Sequence, residues 1–104
     1  MKHKMLLFLD TSKINTATVA VEFDGKKFEK TSESRVMKSQ MVLPLIESLL
    51  KEQDLRLQDI TEISVAMGPG SFTGLRVGAS VANVLGFLLN VPVNGKKALA
   101  LPEY

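Results

Sequence analysis

Gly68-Pro69-Gly70-Ser71-Phe72-Thr73-Gly74-Leu75-Arg76 stands between an apolar, strand-like run over residues 60–67 and an almost wholly apolar segment that reaches Leu89. Gly68 and Gly70 can take backbone conformations that other residues resist, and Pro69 holds its own φ, so a tight, stiff turn is expected there. Ser71 reads as a helix N-cap, with its hydroxyl placed to accept from the amide of Thr73 or Gly74. No proline interrupts the chain from Phe72 to Leu89, which predicts one long helix. Strand, glycine turn and capped helix in this order imply an α/β fold: the residues before the stretch build a sheet, and the helix after it packs on that sheet.

The loop has two readings. Amides and the positive end of a helix dipole can hold a phosphate or carboxylate, or the glycines can serve only the turn. Gly68, Gly70, Gly74 and Gly78 match neither G-x-x-x-x-G-K-[ST] nor G-x-G-x-x-G, which favours the turn. Along the helix Gly74, Gly78, Ala82 and Gly86 recur at every fourth position, a stripe of small side chains that lets another helix or strand approach closely. Val77, Val81, Val84, Leu85 and Leu88 fill other faces. A helix apolar nearly all round is buried on more than one side, so this one is expected between its own sheet and a partner. Arg76 opposes the helix dipole near its positive end, and either a structural salt bridge or an acidic group of a partner would compensate it.

Composition excludes several classes of function. The 104 residues fit one domain, and 45% hydrophobic with 23% charged residues is ordinary for a globular protein. A net charge of +2 is too small to argue for nucleic acid, although a pI near 9.0 allows a local basic patch. Without cysteine there are no disulfides, thiolate metal sites or cysteine nucleophile. The single histidine, His3, lies between Lys2 and Lys4, where a solvated side chain is expected rather than a base or a zinc ligand. The apolar run at residues 5–9 is too short for a signal peptide, and no apolar stretch free of polar or glycine interruption is long enough to span a bilayer. A cytoplasmic protein is the expectation.

Upstream of the glycine loop, residues 5–9 are continuously apolar, as in a central strand buried on both faces. Asp10-Thr11-Ser12 ends this strand with side chains that bond to local backbone. Residues 16–23 are rich in β-branched side chains, Asp24-Gly25 is a hairpin turn, and residues 26–31 return as a lysine-rich edge. Over residues 39–53, Val42, Leu45, Ile46, Leu49 and Gln53 fall on one helical stripe, with Pro44 either delaying the helix or bending it. A polar connector anchored by Leu55 and Leu57 leads to the strand at residues 60–67. Val91-Pro92-Val93 is read as a fifth strand after the long helix, completing a right-handed parallel crossover.

A meander followed by helix-linked parallel strands is the layout of a ribonuclease H-like, actin-type ATPase lobe. Asp10-Thr11-Ser12, Ser39-Gln40 with Leu43-Pro44, and Gly68 to Gly78 resemble the TsaB family, the non-catalytic partner subunit in bacterial synthesis of threonylcarbamoyladenosine on tRNA. The similarity runs from about Met5 to Gly95 and covers that family's N-terminal lobe, so residues 1–104 are expected to be a single lobe of a two-lobed design. The resemblance implies a mixed five-stranded sheet with two main helices and no cofactor or metal. It further implies docking to the catalytic paralogue TsaD through a four-helix bundle, with a homodimer through the same helices as another use of them. The TsaE ATPase would join through that complex and tRNA would be met only indirectly. The interface residues so implied are Met41, Leu45, Phe72, Gly74, Leu75, Gly78, Ala82 and Gly86, and Gly78→Leu is expected to impair association while sparing the fold. Asp10, Thr11, Ser12, Gly70 and Ser71 would be a vestigial nucleotide site. Where the family commonly has histidine before Ser39-Gln40, this chain has Lys38, and Lys96 to Tyr104 match only loosely.

A competing expectation is a metal-dependent nucleotide-binding enzyme, an ATPase or phosphotransferase using Asp10 and the glycine loop. Such a site needs more than one converging carboxylate, and only Asp24, Asp59 and Glu62 lie near other proposed strand ends. Asp10 therefore reads better as a turn former. A peptidase is the more remote alternative, without an evident nucleophile or zinc ligand set.

Overall fold

The computed structural model describes residues 4–13, 15–33 and 39–96; His3, Lys38 and residues 97–104 lie outside them. Strand β1 (Leu6–Asp10) is central, paired antiparallel to β2 (Thr16–Phe23) and parallel to β4 (Glu62–Val65), and β3 (Lys26–Glu33) lies outside β2. Asp24 and Gly25, both at positive φ (51° and 71°), make the hairpin that sets Phe23 opposite Lys26.

The pleat sorts the side chains. Leu7 pairs with Val21 and Ile63, and Leu9 with Val19 and Val65, so one face of the sheet carries fully buried aliphatics. Helix α1 (Ser39–Glu52) covers that face over β2 and β3, placing Val42, Ile46, Leu49 and Leu50 in the same core. Helix α2 (Phe72–Leu89) covers β1 and β4 with Leu75, Ala82 and Leu85. On the same side Lys30 of β3 forms an ion pair with Glu52 of α1. Pro44 is accommodated inside α1 with its ring exposed.

Two expectations need correction. Leu6 and Phe8 are only half-buried, so β1 is not covered on both faces. The crossovers from β3 to β4 and from β4 to Val93 both advance in the same direction across the sheet, and right-handed connections then place both helices on one side. The sheet also has four strands rather than five. Val93 makes a single parallel bridge to Ile63, and Asn94 and Gly95 then turn at φ 52° and 78°. Val93 and Lys96 close this two-residue turn with reciprocal bonds of 2.8 and 3.0 Å. The Asn94 side-chain amide takes the place of the missing strand, accepting from Val65 N at 2.9 Å and donating to Val65 O at 3.2 Å.

Both helices stop the same way. Asp54 (φ 55°) and Asn90 (φ 55°) turn left-handed, and the next residue reaches back five positions, Leu55 N to Leu50 O at 2.8 Å and Val91 N to Gly86 O at 3.0 Å. This pairing satisfies the last carbonyls of a helix. The strand expected over residues 60–67 is trimmed to Glu62–Val65: Thr61 N and Glu62 N share Met5 O where the chain enters the sheet, and Ala66 N bonds to Leu9 O where it leaves.

Candidate functional site

The residues singled out around the glycine loop come together. Ser71 caps α2, its hydroxyl accepting from Gly74 N at 3.2 Å, while its own amide donates to Ser12 O at 2.7 Å. Thr11 is buried and its hydroxyl donates to Gly74 O at 2.5 Å. Asp10 Oδ1 accepts from Ser12 N at 2.9 Å and from Ser12 Oγ at 2.6 Å. Gly68 has φ 116°, the mirror conformation that glycine tolerates. Gly70 is needed for closeness instead: a Cβ there would stand 2.7 Å from Ser12 O. The amide of Ser71 and one carboxylate oxygen of Asp10 are bonded inside the chain, and the bonds from Ser71 N to Ser12 O and from Thr11 to Gly74 O interlock the end of β1 with the start of α2. That is what the turn reading requires of the loop. No group of three or more His, Asp or Glu among the described residues is placed to hold a metal ion.

The stripe of small residues faces the chain's own sheet. Gly74, Leu75, Gly78, Ala82 and Gly86 are all buried within the fold. A Cβ on Gly78 would run into Thr11 Oγ1, with Val65 Cγ2 at 3.3 Å, and one on Gly86 would stand 2.5 Å from Val93 Cγ2. The close approach that the stripe implies is therefore made by β1, β4 and Val93. Gly78→Leu, expected to spare the fold, would instead drive a side chain into the core. Leu45 is also buried and Met41 is half-buried against the core, which leaves Phe72 as the exposed member of the expected interface.

Away from the stripe, α2 carries exposed apolar side chains: Phe72 (53%), Val84 (55%), Phe87 (85%) and Leu88 (69%). Leu43 of α1 is exposed as well. Thr73, Arg76, Val77, Ser80 and Val81 line a shallow hollow along the same outer side. The Arg76 guanidinium lies 5.3 Å from the centre of the Phe72 ring, a cation–π contact, and has no ion pair among the described residues. Of its two readings, the structural salt bridge is not made within them. Phe87 and Leu43 are legible from the helical period alone: about 100° per residue sets Phe87 directly opposite Gly78. By length and a mean hydropathy of 1.5, α2 would also suffice to cross a membrane, although 39% of it is buried in the fold. Glycines and Arg76 interrupt its apolar run.

Residues 15–100 match the family model described as TsaD, tRNA N6-adenosine threonylcarbamoyltransferase. The tRNA threonylcarbamoyladenosine biosynthesis protein TsaB of Bacillus subtilis is 32% identical over 90% of this chain and 41% of its own length. That of Haemophilus influenzae is 36% identical over 89% of this chain and 39% of its own length. The chain thus spans about two fifths of the length of these curated relatives. Among solved structures, YeaZ from Pseudomonas aeruginosa superposes with a TM-score of 0.79 at 33% identity, over 86% of this chain and 41% of that one. A Bacteroides thetaiotaomicron protein with an actin-like ATPase fold superposes with a TM-score of 0.53 at 10% identity, over 86% of this chain and 32% of that one. That likeness bears on the fold alone and agrees with a ribonuclease H-like lobe. The chain belongs to the family that the transferase model describes, and within it to the TsaB proteins.

Proposed function

We propose that this chain is a non-catalytic partner subunit in the biosynthesis of threonylcarbamoyladenosine on tRNA, docking a TsaD-type transferase through the outer sides of α1 and α2. The observation that carries this reading is the exposed apolar cluster Val84, Phe87 and Leu88 at the C-terminal end of α2, with Phe72 exposed at its other end, on a helix whose remaining side is already packed. Exposed apolar surface gathered along one helix is the usual mark of a protein contact. The names of the relatives support the pathway, and the match of this chain to the transferase family model is consistent with a related transferase as the partner. In the same reading TsaE meets the chain only through that complex, tRNA is met through the transferase, self-association uses the same helices, and the setting is the cytoplasm.

Light scattering after size exclusion, on the protein alone and then with the transferase of the same organism, tests this. A stoichiometric complex that displaces any homodimer is the expected result. A stable monomer that ignores the transferase would overturn the partner role and return attention to nucleotide binding at Asp10 and the glycine loop.

A further inference from the structure

Helix α2 contains one ionisable residue, Arg76, and no acid. Its guanidinium lies on the outer side, stacked on Phe72 at 5.3 Å and without an ion pair among the described residues. It also sits in the first turns, where the positive end of the helix dipole adds to its field and favours an anion. Arg76 and Phe87 are about 17 Å apart along the axis at about 1.5 Å per residue. The outer side is therefore divided, with a cationic end at Phe72 and Arg76 and an apolar end at Val84, Phe87 and Leu88.

Whatever covers this side must answer the charge, because a guanidinium buried without a counter-ion is strongly unfavourable. A second copy answers it poorly. Parallel packing of α2 on α2 sets Arg76 against Arg76, and antiparallel packing sets it against Val84 to Leu88, with no carboxylate in either case. In α1 Glu52 is held by Lys30, which leaves Glu47 as the acid that helix can offer.

We propose that Arg76 is the specificity-determining charge of this face. Its occupant is a helix of a different chain that sets a carboxylate opposite Arg76 and apolar side chains opposite Val84, Phe87 and Leu88. The proposal rests on the docking role above and adds the partner's charge pattern and the preference for it over self-association.

The test measures binding of the protein at its natural length to the transferase of the same organism, by titration calorimetry across a range of NaCl concentrations. Arg76→Gln and Arg76→Glu are compared with the parent, and thermal unfolding confirms that both variants fold. Self-association is followed in parallel by sedimentation velocity. Arg76→Glu is expected to weaken the complex about thirtyfold or more, and Arg76→Gln about tenfold with a flatter salt dependence, while self-association changes little. Variants that bind the transferase as tightly as the parent overturn the role of Arg76 and leave the docking role standing. Failure of the parent itself to bind overturns both. A loss of self-association by the same factor as the complex overturns the discrimination and assigns Arg76 to Glu47 of a second copy.

Discussion

At Gly78 the missing side chain is a packing requirement. The α carbon rests on Thr11 and Val65, and a Cβ would overlap the Thr11 hydroxyl whose hydrogen bond to Gly74 O, at 2.5 Å, ties β1 to the first turn of α2. Alanine would gain about 1 kcal/mol in helix propensity over glycine, and lose it again by displacing a buried hydroxyl. Leucine cannot be accommodated. Gly78→Leu is expected to destabilise the fold by about 3 kcal/mol through overpacking, read as a lowered urea midpoint. A midpoint within error of the parent would mean that α2 stands further from β1 than described. The small-residue period is plain in the sequence, but its direction is not: a stripe permits close approach without saying by what. Only the placement of Thr11 and Val65 beneath it decides that the chain's own sheet is the neighbour.

Elements are legible where local chemistry decides them. Ser71 caps α2 as its position before a proline-free run implies, and Asp24-Gly25 turns the hairpin with both residues at positive φ. Asn94-Gly95 carries the same turn signal, and it overrides the strand expected over Val91 to Val93: the turn ends pairing after one bridge, and an asparagine side chain takes over the next pair of bonds. The candidate site is legible to the same extent. The Asp10–Ser12 turn and the Ser71 cap follow from short-range chemistry, whereas the bonds that join them, Thr11 to Gly74 O and Ser71 N to Ser12 O, and the exposed side of α2 depend on where the helix lies. Phe87, 85% exposed, gains almost nothing from the fold. Phe87→Ser is therefore expected to change unfolding free energy by less than about 0.5 kcal/mol. The same substitution is expected to weaken a transferase complex about thirtyfold, since truncated aromatic anchors at the centre of an interface cost about 2 kcal/mol. Equal binding by the variant would place the docking surface elsewhere.

For the molecule as a whole, the consequence of two same-handed crossovers is a sheet with one core. Leu7, Leu9, Val19, Val21, Ile63 and Val65 meet the helices, while Leu6, Phe8, Ala20 and Glu22 look the other way, where Lys27 lies 5.9 Å from the Phe8 ring centre. Continuous hydrophobicity in β1 does not reveal this, because an apolar residue on an open face and one on a closed face read alike. Truncation tells them apart. Leu9→Ala removes a fully buried side chain and is expected to cost about 3 kcal/mol, transfer and cavity together. Phe8→Ala removes more atoms from a half-buried position beside a shallow hollow, and is expected to cost about 1 kcal/mol, well below the several kcal/mol typical of a buried phenylalanine. Chemical denaturation of both variants gives the comparison directly. If Phe8→Ala proves as costly as Leu9→Ala, the second face of the sheet is covered in solution, and a layer beyond α1 and α2 completes the lobe.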